Sequence, residues 1–289
     1  MTDWSAWAKR EERREEHRAD RLDPAFAARW LATFDLPALA EGAMPQGVHF
    51  ALCPPDAPTA ALGADGHPAR GASAGSFLPP VPLPRRMWAA SEIEFLAPIG
   101  VGSAVERTSR VASVTSKSGK SGEMVFVEVA HDTRADGVPA VRETQTLVYR
   151  EAADANSPLQ PPPAGDGRFD PSAWAAHRAL VPSEALLFRF SALTFNSHRI
   201  HYDLAYAREV ERYRGLVVHG PLLASLLLQL AASELGEQAL ARFAFRALSP
   251  AIAGEALHLA LKRDGREVEL AAFAADGREV VRATGAPRL

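Results

Sequence analysis

The segment Gly220–Leu235 constrains the fold most strongly, because it is apolar around its whole circumference. A helix with this pattern must be covered by other parts of the protein on most sides. Its apolar run contains Ser225, Gln229 and Ser233, and it is too short and too polar to span a membrane. The segment therefore predicts a helix buried within a domain.

Short segments with strand character occur on both sides of this helix in the chain. Most mix apolar and polar residues in a near-alternating way, and Gly-, Asp- and Ser-containing turns separate many of them. The predicted strands are 92–95, 104–115, 123–129, 141–149, 186–193, 242–248, 256–263, 267–273 and 279–284. Connections this short do not make parallel crossovers, so the pattern predicts antiparallel meanders. A curved antiparallel sheet wrapped round the apolar helix would bury it.

A break in the pattern divides the chain into halves of similar size. Residues 157–167 are rich in Pro and Gly and have no apolar period. Pro lacks a backbone donor and fixes φ, so this stretch predicts a linker that neither pairs in a sheet nor continues a helix. We assign residues 1–156 to an N-terminal half, 157–170 to the linker and 171–289 to a C-terminal half. Joining the two half-sheets would bury more surface. Antiparallel strands combined with helices predict an α+β fold.

Three further segments have local patterns that predict helices or a solvated arm. Asp23 can cap a helix whose first residue is Pro24, and apolar residues follow at helical spacing. Residues 203–213 are charged and predict a surface helix. The charge-dense run 9–21 mixes both signs and predicts a solvated helix or arm.

Composition excludes several classes of function. The formal net charge is −3, and no concentrated basic surface for nucleic acid is expected. The single cysteine, Cys53, rules out an intrachain disulfide and makes a thiolate metal site very unfavourable. The N-terminal residues 1–10 have no apolar core of the signal-peptide type. We expect a cytoplasmic protein with no membrane partner, no metal and no cofactor.

Histidines that suit proton transfer cluster in the second half. His198 and His201 lie in one segment, and His219 directly precedes the apolar helix. Imidazole is the natural acid–base group near neutral pH. A His-x-x-His pair is also compatible with a metal site, but no third ligand is in register and Arg199 between the two would repel a cation.

The sequence His219-Gly220-Pro221 predicts an exposed backbone N–H at the start of the buried helix. Helix N-termini carry free N–H groups and a partial positive charge. A thioester carbonyl placed there would be polarised, and an enolate oxygen would be stabilised. The alternative is that Gly220 only allows close packing, and the pattern does not separate the two interpretations.

Residues 195–203 followed by Val218-His219-Gly220 resemble the motif of the MaoC-like hydratases. The resemblance implies a double hotdog fold, in which two antiparallel sheets each wrap round a central helix. It places His201 on the catalytic histidine and Gly220 on the glycine whose N–H polarises the thioester carbonyl. Asp203 follows the histidine at a position where a polar residue often starts the next helix. The family's catalytic Asp falls here on Asn196, and an amide cannot act as a carboxylate base.

A narrower resemblance covers most of the chain. Residues 195–203, 62–68, 77–89 and 125–129 are similar to mesaconyl-C4-CoA and itaconyl-CoA hydratases and to mitochondrial-type 3-hydroxyacyl-thioester dehydratases. Asn is usual in these groups, so Asn196 is consistent with activity. The implied reaction is reversible addition of water to a 2-enoyl thioester, most simply a short branched dicarboxylic acyl-CoA. The C-terminal half would carry the catalytic residues, and the N-terminal half would shape the acyl site.

The resemblance also implies roles for individual residues. His201, Asn196, Asp203 and Gly220 are the predicted catalytic residues, with water held between Asn196 and His201. The predicted substrate-binding residues are Arg199, His198, His219, Arg85 and Arg86, because arginine suits both CoA phosphates and a free carboxylate. No bound cofactor is implied.

Other functions remain as alternatives at this point. A dehydratase of 3-hydroxyacyl chains on CoA or acyl carrier protein differs only in the acyl group. Thioester hydrolysis is disfavoured, because hotdog thioesterases lack the His201 and His219-Gly220 arrangement. A non-catalytic thioester-binding protein would also fit the amide at Asn196. A homodimer is possible and is not predicted by any pattern.

Overall fold

Ten antiparallel strands form one continuous sheet in the part of the chain that the structure describes. The structure is a computed structural model that describes residues 4, 14–37, 42–69, 77–119 and 122–288. The strands are β1 (Glu15–Arg21), β2 (Arg85–Phe95), β3 (Ala104–Gly119), β4 (Gly122–Ala135), β5 (Val138–Arg150), β6 (Ala176–Leu180), β7 (Leu240–Ala247), β8 (Leu257–Asp264), β9 (Glu267–Ala274) and β10 (Glu279–Pro287).

The strand order shows an internal repeat. It is β1-β3-β4-β5-β2-β7-β10-β9-β8-β6, so the second half repeats the connectivity of the first in mirror order. The halves join where β2 pairs with β7, at Ala90 opposite Arg246. This arrangement confirms the predicted antiparallel sheets of an α+β fold, joined edge to edge.

Each half contains a strand followed by a capped helix. Helix α1 (Pro24–Thr33) starts as predicted, with the Asp23 side chain accepting from the Phe26 N–H. Helix α2 (Glu184–Leu193) is capped in the same way by Ser183. The strand predicted for residues 186–193 is therefore wrong. Its buried residues Leu187, Phe190 and Leu193 lie three apart, which is a helical spacing that the exposed residues between them obscured.

Two other segments also differ from the prediction. The surface helix expected for residues 203–213 is the single-turn helix α3 (Leu204–Glu209), and its Tyr206 and Ala207 are buried. The charge-dense run 9–21 is an edge strand at Glu15–Arg21 rather than a helix or arm, and residues 9–13 lie outside the described residues. On an edge strand, charged side chains can face solvent while the backbone pairs with the neighbouring strand β3.

The apolar helix is confirmed as α4 (Gly220–Leu235), with buried residues on all sides of its first three turns. It packs on the concave face of β7, β8 and β9. At the same point of the first half lies a short 3₁₀ helix, Val48–Ala51, whose residues are all buried. The preceding Gly47 approaches α4 so closely that a Cβ there would lie 3.2 Å from the Leu228 side chain.

The segment predicted as a linker has little regular structure but is anchored. Gln160 forms an isolated bridge with Tyr213, so the expectation that this segment makes no strand-type pairing is wrong at this residue. Further along, Phe169 stacks on His258 and Phe273. None of the described helices is long and apolar enough to cross a membrane.

Candidate active site

A cavity of about 1430 Å³ lies between the two halves of the molecule. Its walls come from β2 and β5 of the first half and from the α2–α4 region of the second. Seven of the sequence-predicted site residues line it: His201, Asn196, Gly220, His198, His219, Arg85 and Arg86. The fold therefore brings together groups that are up to 135 positions apart in the sequence.

His201 is held in one tautomer by the backbone. It lies in the short 3₁₀ helix Arg199–His201, is 7 % exposed, and its Nδ1 is 2.7 Å from the Val217 carbonyl oxygen. A carbonyl oxygen only accepts, so Nδ1 carries the hydrogen and Nε2 keeps its lone pair. Burial lowers the pKa of His201 to about 3, so the ring is neutral at physiological pH. Neutral imidazole with a free Nε2 lone pair can accept a proton from water.

His219 forms the wall behind His201. The two rings stack with centroids 3.5 Å apart, and His219 Nε2 is 2.8 Å from the Ser191 hydroxyl. Phe190 packs edge-on against His219, with centroids 5.0 Å apart. His219 is 1 % exposed, and burial lowers its pKa well below the usual value. These contacts fix the plane of the His201 ring, which favours a positioning role over the predicted substrate contact.

Gly220 is the first residue of α4, directly after His219. No side chain caps the first turn of this helix, because His219 at the N-cap makes no such hydrogen bond. A Cβ on Gly220 would have Trp88 O, at 3.5 Å, as its nearest neighbour, so the site could hold a larger residue. Close packing alone therefore does not explain the glycine. A helix N-terminus open to a cavity is suited to an oxygen that gains negative charge.

Asn196 shapes the loop that carries His201. Its side-chain oxygen accepts from the His198 N–H at 3.0 Å, and its own N–H donates to Ser191 O. An amide oxygen has a second lone pair, so it can still share a water molecule. This geometry agrees with water orientation by Asn196 and excludes it as a proton acceptor.

A loop of the first half closes over this segment. The Ser197 hydroxyl donates to Gly66 O at 2.5 Å, and Arg199 N donates to Asp65 O at 2.9 Å. His67 stacks on His198 with centroids 4.1 Å apart. The segment 62–68 is thus part of the site, through backbone and side-chain contacts that the sequence alone does not reveal.

Asp65, His67 and His198 also bring possible metal-ligand atoms within 4.8 Å of one another. His67 Nδ1 is 3.1 Å from Asp65 Oδ2, so a hydrogen bond accounts for that pair. The positive charges of Arg85 and Arg86 lower the pKa of His198 further, after burial, and would repel a cation too. The residues therefore fit a hydrogen-bonded cluster better than a metal site.

Arg199 and Asp203, both predicted site residues, do not line the cavity. They form an ion pair at 2.7 Å, and Arg199 also packs over the ring of Tyr206. Asp203 caps α3 through the Tyr206 N–H. Both residues are engaged in local structure, so neither their placement nor their contacts support a direct part in chemistry.

Two arginines that do line the cavity differ in their contacts. Arg85 is ion-paired with Glu211 at 2.5 Å and lies over the Tyr213 ring. Arg86 is its neighbour on β2, opposite Tyr149 of β5, and Arg150 lies opposite Arg85. Arg150 was missed by the sequence analysis. Arg86 and Arg150 both line the cavity, so either can meet an anionic group that enters it.

Polar residues also enter the cavity from the first half, and the sequence analysis missed them. His49, Arg107, His131, Glu143 and Gln145 line it. A signal was available in the strands. Glu143 and Gln145 share the face of β5 that carries Leu147 and Tyr149, and His131 shares the face of β4 that carries Val127 and Val129. Polar residues at apolar positions of a strand point to a buried polar site.

Comparison with known proteins agrees with this fold. The profile of the hydroxyacyl-thioester dehydratase type 2 family matches residues 47–253. The chain is 38 % identical over 288 residues to the mesaconyl-C(4)-CoA hydratase of Chloroflexus aurantiacus, covering 98 % of this chain and 97 % of that protein.

Solved structures show the same fold at low identity. A MaoC-like dehydratase from Phytophthora capsici is 11 % identical, with a TM-score of 0.70 and 95 % of each chain covered. A Mycobacterium tuberculosis protein described as a double hotdog fold is 13 % identical, with a TM-score of 0.56 and 93 % of each chain covered. The predicted double hotdog is confirmed.

The fold and these matches define a double-hotdog hydro-lyase, an enzyme that adds water to, or removes water from, an acyl thioester. Within this class, the chain belongs to the hydroxyacyl-thioester dehydratase type 2 family. The predicted enzyme class and family resemblance are confirmed.

Proposed function

We propose that this enzyme hydrates short, branched, dicarboxylic 2-enoyl-CoA thioesters of the mesaconyl or itaconyl type. One observation carries the proposal: the open N-terminus of α4 at Gly220 lies next to His201 in a single cavity. These are the two groups that hydration needs, an oxyanion donor and a base. Full-length similarity to a mesaconyl-C(4)-CoA hydratase supports the acyl class.

In the proposed reaction, the thioester carbonyl accepts a hydrogen bond from Gly220 N–H. Water lies between Asn196 and Nε2 of His201. His201 takes one proton from the water as its oxygen attacks the β-carbon, and the electrons of the double bond move towards the carbonyl oxygen. The resulting imidazolium returns the proton to the α-carbon. One water is added across the double bond, and the enzyme ends in its starting state.

The division of labour between the halves is part of the proposal. Residues 171–289 carry the catalytic groups, residues 1–156 shape the acyl site, and 157–170 connect them. His219 positions His201, and Arg86 with Arg150 binds CoA phosphates. A cytoplasmic location stays a prediction, and the oligomeric state stays untested.

Dehydration of a 3-hydroxyacyl thioester is the second candidate, and the family match favours it. The same groups would run the reaction in reverse. Turnover of mesaconyl-C4-CoA, itaconyl-CoA, crotonyl-CoA and a long 2-enoyl-CoA separates the two. Hydration of the dicarboxylic thioesters supports the proposal, whereas preference for the long straight chain contradicts it.

Two variants of Gly220 test the oxyanion donor. Gly220→Pro removes the N–H, and proline is tolerated in the first turn of a helix. Gly220→Ala keeps the N–H and fits the space before Trp88 O. We expect kcat to fall by about 10²–10³-fold in the proline variant, the range for one oxyanion donor, and much less in the alanine variant. Equal losses in both would show that the N–H is not used.

A further inference from the structure

A continuous band of polar side chains crosses the concave face of the first half. We call His49, Ser91, Arg107, His131 and Glu143 the polar band. His131 on β4 lies opposite Glu143 on β5, and Arg107 and Ser91 come from β3 and β2. His49 reaches the band from the short helix Val48–Ala51. Beside the polar band the same face of the sheet is apolar, so the five polar residues form a local cluster.

Glu143 is the hub of the polar band. The Ser91 hydroxyl donates to Glu143 Oε1 at 2.6 Å, and His49 Nε2 is 3.7 Å from Glu143 Oε2. Burial raises the pKa of Glu143 to about 7, and the Ser91 hydrogen bond and Arg107 only partly offset this. At pH 7, about half of Glu143 is therefore protonated and able to donate.

Two buried nitrogens of the polar band, His49 Nε2 and Arg107 Nε, have no hydrogen-bond partner within the described residues. Arg107 Nε is always a donor, and His49 Nε2 is a donor in one of the two tautomers of the neutral ring. The other Arg107 nitrogens donate to the carbonyls of Leu52 and Cys53. Buried polar groups are normally satisfied, so these two nitrogens on one cavity wall favour an acceptor that is supplied from outside the chain.

The charge of the polar band suits one anion. Burial lowers the pKa of His49 and of His131 to about 3, so both rings are neutral at physiological pH. Arg107 stays cationic, as guanidinium groups do in proteins. With Glu143 protonated, the band carries one net positive charge inside the cavity, which one carboxylate would neutralise.

The polar band lies close to the proposed thioester site. Trp88 O is the nearest neighbour of a Cβ on Gly220, and the indole Nε1 of Trp88 donates to the Ser91 hydroxyl at 2.8 Å. One residue therefore connects the N-terminus of α4 to the polar band. Phe50 and Phe245 pack around the same indole ring. The link through a single residue favours an acyl group whose carboxylate is near its reacting carbon.

We propose that the polar band binds the free carboxylate of a short dicarboxylic enoyl thioester, with His49 and Arg107 as donors. This inference rests on the proposed hydratase function and moves carboxylate recognition away from the arginines predicted from sequence. Arg199 is paired with Asp203 outside the cavity, and Arg85 is paired with Glu211. The substrate carboxylate would therefore bind His49 and Arg107 of the polar band rather than these two paired arginines.

The test compares two thioesters that differ only at this group. In 3-methylcrotonyl-CoA a methyl replaces the carboxylate of mesaconyl-C4-CoA. The readout is the ratio of kcat/KM for mesaconyl-C4-CoA to that for 3-methylcrotonyl-CoA. We expect a ratio above one for the wild type, and a fall of tenfold or more in His49→Leu and in Arg107→Gln.

Matched controls separate recognition from general damage. His177→Leu is at an exposed histidine of β6, and Arg110→Gln changes an exposed arginine on the same strand as Arg107. Both should leave the ratio within twofold. Arg107 also donates to two backbone carbonyls, so its variant could lose the fold, which circular dichroism would show. In that case the ratio measured for His49→Leu tests the proposal.

The outcomes distinguish carboxylate recognition by the polar band from the hydratase function itself. If the wild type hydrates 3-methylcrotonyl-CoA equally well or better, or if the ratio is unchanged in the folded variants, carboxylate recognition by the polar band is wrong while hydratase function stands. If the wild type hydrates no enoyl thioester, the proposed function is wrong and this inference falls with it.

Discussion

His201 owes its proposed reactivity to contacts that leave only one of its nitrogens available. Val217 O occupies Nδ1, and the His219 ring covers one face. Burial lowers the pKa of the imidazole to about 3 and keeps it neutral at physiological pH. A residue fixed in this way needs no rearrangement before it accepts a proton, which is the advantage of preorganisation.

His201→Gln tests this assignment directly. The amide can still donate to Val217 O, but it is not a base, so we expect kcat to fall by about 10²–10⁴-fold, the usual contribution of general acid–base catalysis. His177→Gln is the control at an exposed position. Steady-state hydration assays and thermal unfolding measure activity and fold. A folded variant with full activity would contradict a catalytic role for His201.

The raised pKa of Glu143 predicts a pH dependence of kcat/KM that is specific to dicarboxylic substrates. Below about pH 7 it is protonated, and above it the carboxylate repels a substrate carboxylate in the polar band. The groups facing it are Ser91, neutral His49 and His131, and cationic Arg107. We therefore expect kcat/KM for mesaconyl-C4-CoA, relative to 3-methylcrotonyl-CoA, to fall as pH rises through about 7.

Glu143→Gln is the matched variant for this profile. It keeps an acceptor for Ser91 and removes the charge, so the relative fall should disappear. If the variant and the wild type give the same relative profile, Glu143 does not face the bound carboxylate.

At the scale of elements, the site depends on a contact between loops of different halves. Gly66 has φ +86°, and a Cβ there would lie 1.9 Å from Ser197 O. The loop 62–68 therefore reaches the His201 segment only with glycine at this position. The contact holds Ser197 through its hydroxyl and Arg199 through its backbone N–H.

Gly66→Ala should separate the two loops. We expect a loss of at least tenfold in kcat/KM because the His201 segment shifts, together with a lower melting temperature. Gly137→Ala is the control, since Gly137 also has positive φ (+77°) but nothing within 4 Å of a Cβ. It should lose about 1–2 kcal/mol of stability from backbone strain alone and keep its activity. Similar activity in both variants would show that the loop contact does not matter.

At the scale of the whole molecule, burial of histidines links stability to pH. His49, His198, His201 and His219 are all buried, and burial lowers the pKa of each in the folded state. The unfolded chain takes up protons at these sites below about pH 6.5, whereas the folded protein does so only at much lower pH. Their contribution to stability is complete above about pH 6.5 and is lost progressively as the pH falls below that value.

We therefore expect the free energy of unfolding to fall between pH 7.5 and 5.5. Each buried histidine contributes about 1.4 kcal/mol per pH unit once the unfolded form is fully protonated. Glu143 acts in the opposite direction between about 4.5 and 7, because its folded pKa is raised, and it offsets one histidine. Urea titrations at both pH values measure the change. A stability that stays constant or rises on acidification would contradict the expectation.

Features that depend on local patterns could be predicted from the sequence. The apolar run of α4, the Asp23 cap and the alternating strands follow from periodicity and turn chemistry, which act over a few residues. The resemblance added His201 and Gly220. The helix at 184–193 was missed because exposed residues such as Phe188 masked its three-residue spacing.

Which side chains meet in the site could not be predicted from local patterns and depends on how the chain folds. Arg199 and Asp203 lie within the motif, yet their ion pair points them away from the cavity. His49, Arg107 and Glu143 lie 36 to 94 positions apart and come together only when β3, β5 and the short helix Val48–Ala51 close on one another. Pairing of distant strands depends on register and on burial summed over the whole sheet. No single segment contains that information.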